Sequence, residues 1–303
     1  MKQKILITGA TGMLGKSIIN DFKNDNRFEV YGISRKINEK INNYNRVIVD
    51  ITDNDELIKN LKLINPDVII HCAANTNVEE CDNNKEDVYK LHVDATKTLA
   101  KFNSRYIYIS TDSVFDGQKG EYSEEDEVNP LNYYASTKLE GEKVSLDSNS
   151  KALILRTNIY GFHLDKKNSL VEWALRNLLL NNKINGFNDV YFNPVYVGQL
   201  ARIIKKIVTS NNVMGILNIG SKEYISKYEF LVKLAKVFNI SKNLIIPKSI
   251  DDINFSALRP RNTTLNLNKL QDILKEIPSI DEGIKELRND YDELFINKEE
   301  FKL

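Results

Sequence analysis

An α/β fold is predicted for this chain: a doubly wound parallel sheet followed by a smaller C-terminal lobe. Three observations predict it. Short apolar runs alternate with amphipathic helical stretches through the first half. Runs such as "DVIIHC" (67–72) are continuously apolar, as expected of strands covered by helices on both faces. The first run, in "KILITGATGMLG" (4–15), ends in three spaced glycines.

The elements follow in order. Strands are expected at 4–8, 29–33, 46–49, 68–72, 106–110 and 152–155, with helices at 14–23, 55–63, 87–102 and 133–144 between them. After about residue 156 the rhythm breaks. Helical stretches at 162–180, 224–238 and 265–277 flank a strand-like "VYFNPVYV" (190–197), and 285–303 reads as a solvated helix with a loose tail. The expected division is a dinucleotide-binding domain over 1–160 and a mainly substrate-binding lobe over 161–303, with 188–212 returning to the first domain.

Composition narrows the function. A chain of 303 residues can bury a large core, and 42% apolar with 28% charged residues is a soluble profile. Basic and acidic residues balance at 42 each, which points to neither nucleic acid nor an anionic membrane. No apolar stretch is long enough to span a bilayer, and the N-terminus turns to glycine too early for a signal-peptide core. Two cysteines give no disulfide framework, so a cytoplasmic protein is expected.

A strand, then Gly9-x-x-Gly12-x-x-Gly15, then a helix is a dinucleotide-binding pattern of Rossmann type. Gly9 permits the tight turn, Gly12 lets backbone approach a pyrophosphate, and Gly15 allows close helix–strand packing. A glycine cluster serving packing alone is the competing reading. The second strand ends in "ISRK", placing Ser34, Arg35 and Lys36 where a carboxylate would otherwise meet a ribose 2′-OH. A guanidinium suits a 2′-phosphate, so NADPH is the expected cofactor and NADH the alternative; a solvated basic turn is the bland reading. Asp50 closes the third strand, where it can meet an adenine, cap the next helix, or do both.

The chemistry sits further on. "YISTDSVFDG" puts Ser110, Thr111 and Asp112 at the C-terminal end of a strand, where α/β folds keep their sites. In "NYYASTKLEGEK", Tyr134 and Lys138 share one helix face, whereas Tyr133 has Thr137 at that spacing. Such a pair also arises as plain helix surface. Read as chemistry, a phenol that titrates near pH 10 exchanges protons at neutrality only with help, and Lys138 is expected to lower it by about two to three pH units. Thr111 can bond the oxygen on which charge develops. Together these groups suit hydride transfer between a nicotinamide and a carbonyl or alcohol.

With "TGATGMLG", "PDVIIHCAANTNVEECD", "YISTDSVFDG", "PLNYYASTKLEGE", "LRTNIYG", "NPVYVGQLA" and "LRPRNTTL" in this order, the chain resembles the extended short-chain dehydrogenase/reductases, most closely the dTDP-4-dehydrorhamnose reductase branch. The resemblance spans nearly the whole chain. It implies that Thr111, Tyr134 and Lys138 are catalytic. It places Gly9, Thr11, Gly12, Met13, Leu14, Gly15, Ser34, Arg35, Asp50, Ile51, Ala73, Ala74 and Asn75 at the cofactor, with Tyr134 and Lys138. Asp112, Ser113, Asn158 and Ile159 fall near the sugar. The implied reaction is NADPH-dependent reduction of a nucleotide-linked 4-keto-6-deoxy sugar, for cell-surface polysaccharide or glycan synthesis.

Three departures from the family pattern stand out. Ser113 stands where S-T-D-Y-V-F has Tyr, and Asn158-Ile159 replace Ser-Trp of R-T-S-W, which leaves the hexose open. His92 stands where the family usually has an Asn that supports the active-site lysine through backbone and water contacts.

Rival readings are an NAD-dependent sugar-nucleotide epimerase or dehydratase, and a non-catalytic NADP-binding regulatory subunit like that of methionine adenosyltransferase. Ser113 after Asp112 counts against a dehydratase, which often has Glu there, and the Ser34-Arg35 turn counts against a tightly held NAD. His71, Cys72, Cys81 and His92 lack metal-ligand spacing, so no metal is expected; His71 and Cys72 read as buried strand residues and Trp173 as a core or lobe-interface anchor rather than a base-stacking platform. The expected partner is a nucleotide-sugar substrate, with neither nucleic acid nor membrane. For the helices at 87–102 and 133–144, a homodimer interface and simple cover for the sheet both stand.

Overall fold

The structure is a computed structural model that describes residues 1–36, 43–163, 169–210 and 213–296. Its first half builds six strands: β1 (Gln3–Thr8), β2 (Phe28–Ser34), β3 (Asn45–Ile48), β4 (Val68–His71), β5 (Arg105–Ile109) and β6 (Leu153–Thr157). Between them lie α1 (Met13–Phe22), α2 (Asn54–Ile64), α3 (Val78–Asn83), α4 (Lys85–Tyr89), α5 (Ala95–Ala100) and α6 (Tyr133–Ser148). A π-helical turn at Lys90–Asp94 joins α4 to α5.

Period-2 side-chain alternation divides the strands between two cores. Ile5, Ile7, Val68, Ile70, Ile107, Leu153 and Leu155 face one helical layer, which includes α1. Leu6, Ile33, Ile69, Tyr106, Tyr108 and Ile154 face the other, against Leu57 and Leu61 of α2 and Leu99 of α5. Both faces are covered, which is why the runs are continuously apolar.

The second half adds β7 (Ile159–Tyr160), β8 (Ile184–Phe187), β9 (Tyr191–Phe192), β10 (Val195–Tyr196), β11 (Gly215–Ile219), β12 (Ile225–Ser226) and β13 (Ile245–Lys248). Its helices are α7 (Leu170–Leu179), α8 (Val197–Ser210), α9 (Lys227–Val237), α10 (Asn268–Ile273) and α11 (Ile280–Tyr291). Serine–glutamate capping boxes start α7 (Ser169, Glu172) and α9 (Ser226, Glu229). The short pairs β7–β10, β8–β13 and β9–β12 stitch this lobe together.

The main sheet runs β11-β6-β5-β4-β1-β2-β3, every pair parallel. Strand order reverses between β1 and β4, so a crevice opens beyond their C-terminal ends. Helix α8 returns from the lobe to pack on α1, and β11 extends the sheet beside β6. That edge strand was not among the expected strands, because a buried Asn218 interrupts its apolar pattern. The strand-like 190–197 is two short strands split at Asn193-Pro194. The expected tail over 297–303 and part of the 162–180 helix lie outside the described residues. Among the described residues, no helix is long and apolar enough to cross a membrane.

Candidate active site

The glycine loop connects β1 to α1 at the crevice. Gly9 has φ +67°, and a Cβ there would lie 2.9 Å from the Ala73 backbone. A Cβ on Gly15 would stand 2.2 Å from the Gly9 carbonyl oxygen, so close helix–loop packing demands glycine. Gly12 caps α1 with no side-chain hydrogen bond, so the first-turn amides have no intrahelical acceptor and remain available to an anion. This cradle fits a pyrophosphate. Thr11 is half-buried in it. Met13, Leu14 and Ile51 bury their side chains in the cores, so what they offer a ligand is backbone.

At the tip of β2, Ser34 donates its hydroxyl to the Lys36 carbonyl at 2.7 Å, turning the chain so that Arg35 and Lys36 are exposed. Asp50 accepts the backbone N–H and hydroxyl of Thr52 at 3.0 and 2.8 Å. The cap of α2 is Asp53, whose carboxylate accepts the Glu56 N–H at 3.0 Å. The capping role considered for Asp50 therefore belongs to its neighbour.

Beyond β4, the Ala73 N–H donates to the Thr8 hydroxyl at 3.3 Å, and Ala74 and Asn75 follow. The Asn75 N–H donates to His92 Nε2 at 3.0 Å, and His92 Nδ1 meets the Thr137 hydroxyl of α6 at 2.9 Å. Burial holds His92 far below its ordinary value, at about 3. A neutral imidazole thus braces the Asn75 loop directly against α6. His71 is buried between the hydroxyls of Thr8 and Thr96, at 2.6 and 3.0 Å. Among the described residues, no group of three or more His, Cys, Asp or Glu is placed to hold a metal ion.

Asn132 caps α6 by accepting the Ala135 N–H at 2.9 Å, which puts Tyr133 and Tyr134 in the first turn. Tyr133 turns away: its hydroxyl donates to the Lys85 carbonyl at 3.1 Å. Tyr134 faces the end of β5, and its hydroxyl lies against Thr111. Burial lifts this phenol well above its ordinary value, opposed by the Thr111 hydrogen bond and reinforced by the Asp112 charge. The expected lowering by Lys138 does not occur. Lys138 is 3% exposed, donates Nζ to the Ile109 carbonyl at 2.7 Å and sits 4.0 Å above the Tyr108 ring. Its own burial pushes it down to about 7. The arrangement is a protonated phenol beside a hydroxyl, with a lysine poised near neutrality below them.

Thr111 caps the turn at Asp112–Val114, accepting the Ser113 N–H at 3.1 Å and donating to Asp112 Oδ1 at 3.2 Å. The Ser113 hydroxyl reaches the same oxygen at 3.3 Å. Asp112 Oδ2 accepts Asn158 Nδ2 at 3.0 Å and the Thr263 hydroxyl at 2.6 Å. Burial raises the Asp112 carboxyl, while bonds from Thr263, Asn158 and Thr111 pull it back. Ile159 is half-buried in β7 beside them. Thr263 had no assigned role in the sequence, although it lies inside "LRPRNTTL"; only the fold brings it to Asp112. That segment is tied down at its start, by an ion pair from Arg259 to Glu79 of α3 and by Asn132 Nδ2 donating to the Leu258 carbonyl at 3.0 Å.

A family model described as the RmlD substrate binding domain matches residues 3–293. Methionine adenosyltransferase 2 subunit beta of Danio rerio is 31% identical over 286 residues, 89% of this chain and 84% of that protein. The dTDP-4-dehydrorhamnose reductase of Aggregatibacter actinomycetemcomitans is 31% identical over 293 residues, 91% of this chain and 95% of that one. Among solved structures, dTDP-4-dehydrorhamnose reductase from Bacillus anthracis in complex with NADP matches with a TM-score of 0.85 and 27% identity, covering 96% of this chain and 100% of that chain.

Proposed function

This chain belongs to the RmlD substrate binding domain family, and from that premise we propose that it reduces the 4-keto group of a nucleotide-linked 4-keto-6-deoxy sugar with NADPH, NADH being the weaker donor. The product is the 4-hydroxy sugar, a precursor for polysaccharide or glycan. The observation that carries this reading is the meeting of Thr111, Tyr134 and Lys138 beside the glycine cradle, with Tyr134 held protonated.

NADPH, when bound, supplies the hydride. The Gly9–Gly15 loop and α1 amides would hold its phosphates, and Arg35 with Lys36 would meet the 2′-phosphate. Tyr134 carries the proton that the carbonyl oxygen needs as charge develops on it. The Thr111 hydroxyl, already against Tyr134, becomes the second donor to that oxygen by turning its one proton from Asp112 Oδ1 to the substrate. Asp112 orients Thr111. Lys138 keeps positive charge below the site up to about pH 7. Asn158 and Ser113, both bonded to Asp112, line the sugar side.

A second reading rests on the likeness to methionine adenosyltransferase 2 subunit beta: an NADP-binding regulatory partner of a methionine adenosyltransferase. One experiment separates the two. NADPH oxidation is followed with dTDP-, UDP- and GDP-linked 4-keto-6-deoxy sugars, and the purified protein is mixed with a methionine adenosyltransferase catalytic subunit. Turnover of at least one sugar is expected. No turnover of any, with a stable complex formed, would replace the reductase reading with the second.

A further inference from the structure

One helical turn beyond Lys138, Glu142 is a buried carboxylate, 2% exposed. It accepts the Ser110 hydroxyl at 2.5 Å, Arg156 Nε at 3.1 and 3.2 Å, and Arg156 Nη2 at 2.8 Å. Arg156, 3% exposed, sends Nη1 to the Glu124 carbonyl at 3.3 Å and lies over the Phe115 ring. Each partner adjoins the site. Ser110 directly precedes Thr111 at the end of β5, Arg156 precedes Thr157 and Asn158 at the end of β6, and Glu142 follows Lys138 on α6. One carboxylate thus joins the three elements that carry the proposed chemistry.

A buried ion pair is a weak source of stability, since desolvation offsets most of its attraction. Its position suggests another use. The titratable groups around Lys138 come from every neighbouring element: His71 of β4, Cys72 beyond it, His92 of the π-helical turn, Tyr108 of β5, and Tyr134 and Glu142 of α6. Burial keeps the two histidines, the thiol and both phenols neutral. Glu142 is the member of that set paired with a guanidinium, it acts on Lys138 through space, and on a helix the spacing of Lys138 and Glu142 makes them neighbours on one face. Arg156 reaches the same carboxylate and partly offsets its charge.

We propose that Glu142 is a positioning residue of the active site, fixing β5 and β6 against α6 so that Thr111 and Tyr134 address one oxygen, and holding the charge on Lys138 through space. The proposal rests on the reductase reading for its purpose, but its electrostatic part is tested without substrate. Lysine Cε is labelled with ¹³C and its shift followed against pH, with Lys138→Met identifying the Lys138 resonance.

Glu142→Gln should move the Lys138 midpoint down by about one pH unit. Because Glu142→Gln leaves a buried guanidinium unpaired, the double variant Glu142→Gln, Arg156→Met provides a folded alternative, with a smaller shift in the same direction. A folded variant whose Lys138 midpoint stays where it was overturns the proposal. Ser110→Ala keeps the charges and loosens only the tie to β5. It should slow kcat several-fold with KM for NADPH and the Lys138 midpoint unchanged; full activity overturns the positioning part. A native protein that turns over no sugar would defeat the reductase reading alone, since the midpoint is still read.

Discussion

The backbone N–H of Asn75 donates to His92 Nε2 at 3.0 Å, and this bond fixes the tautomer of the ring. An N–H donor requires a lone pair on Nε2, so the proton sits on Nδ1 and is donated to the Thr137 hydroxyl at 2.9 Å. Protonating Nε2 breaks the bond and puts charge in a dry site.

Acid should therefore weaken the fold through His92. The unfolded chain takes a proton near pH 6.5, whereas the folded one resists until about 3. Stability from this group is full above 6.5 and is lost as pH falls toward 3, by about 2–3 kcal/mol at pH 4.5. His71, also held low by burial, acts in the same direction. Urea unfolding at pH 7 and 4.5 should show a smaller acid loss in His92→Asn than in the native protein. An equal loss in both would exclude His92 as a source.

Tyr134→Phe keeps the ring and removes the proton. The expected result is a kcat lower by about 10²–10⁴-fold, with NADPH affinity nearly unchanged. Tyr133→Phe is the control, because its hydroxyl is spent on the Lys85 carbonyl. Steady-state kinetics with nucleotide binding measured separately decide it; an inactive Tyr133→Phe beside a fully active Tyr134→Phe would reverse the assignment.

Arg35→Asp should narrow or invert the preference for NADPH over NADH. Arg35 is exposed on the turn shaped by the Ser34 hydroxyl, so the change leaves the fold intact. Fluorescence titration with both nucleotides reads the outcome, and equal binding of the two by the native protein would count against the assignment of the turn.

Gly15→Ala tests the cradle. The new Cβ meets the Gly9 carbonyl oxygen at 2.2 Å, a clash with backbone that no rotamer relieves. The loop must shift, at a cost of about 1–3 kcal/mol and with weaker NADPH binding. Native-like unfolding and affinity in this variant would show that the packing tolerates a methyl group.

Legibility followed the range of the interactions. Strands such as β4, buried throughout, announce themselves as apolar runs, and the Tyr134–Lys138 spacing is helical arithmetic. Helix α3 was missed because "VEECDN" is short and acidic, with Cys81 its buried residue. Lys138 does not lower the Tyr134 phenol because helical spacing states a shared face but not which acceptor wins the ammonium; the Ile109 carbonyl does. Thr263 reaches Asp112 from a distant part of the chain and Arg156 reaches Glu142 across the connection from α6 to β6, and no local pattern encodes either meeting.

The bond from Thr263 to Asp112 has a consequence for how the protein is made. Synthesis delivers the glycine cradle, the Tyr134 helix and Asp112 long before Thr263 emerges, and β11, the edge strand beside β6, arrives between them. A ribosome-bound chain can therefore shape the nucleotide half while the Asp112 carboxylate still lacks its shortest hydrogen bond. The sugar side is finished last, so a chain cut before residue 263 should retain more of its nucleotide site than of its sugar site.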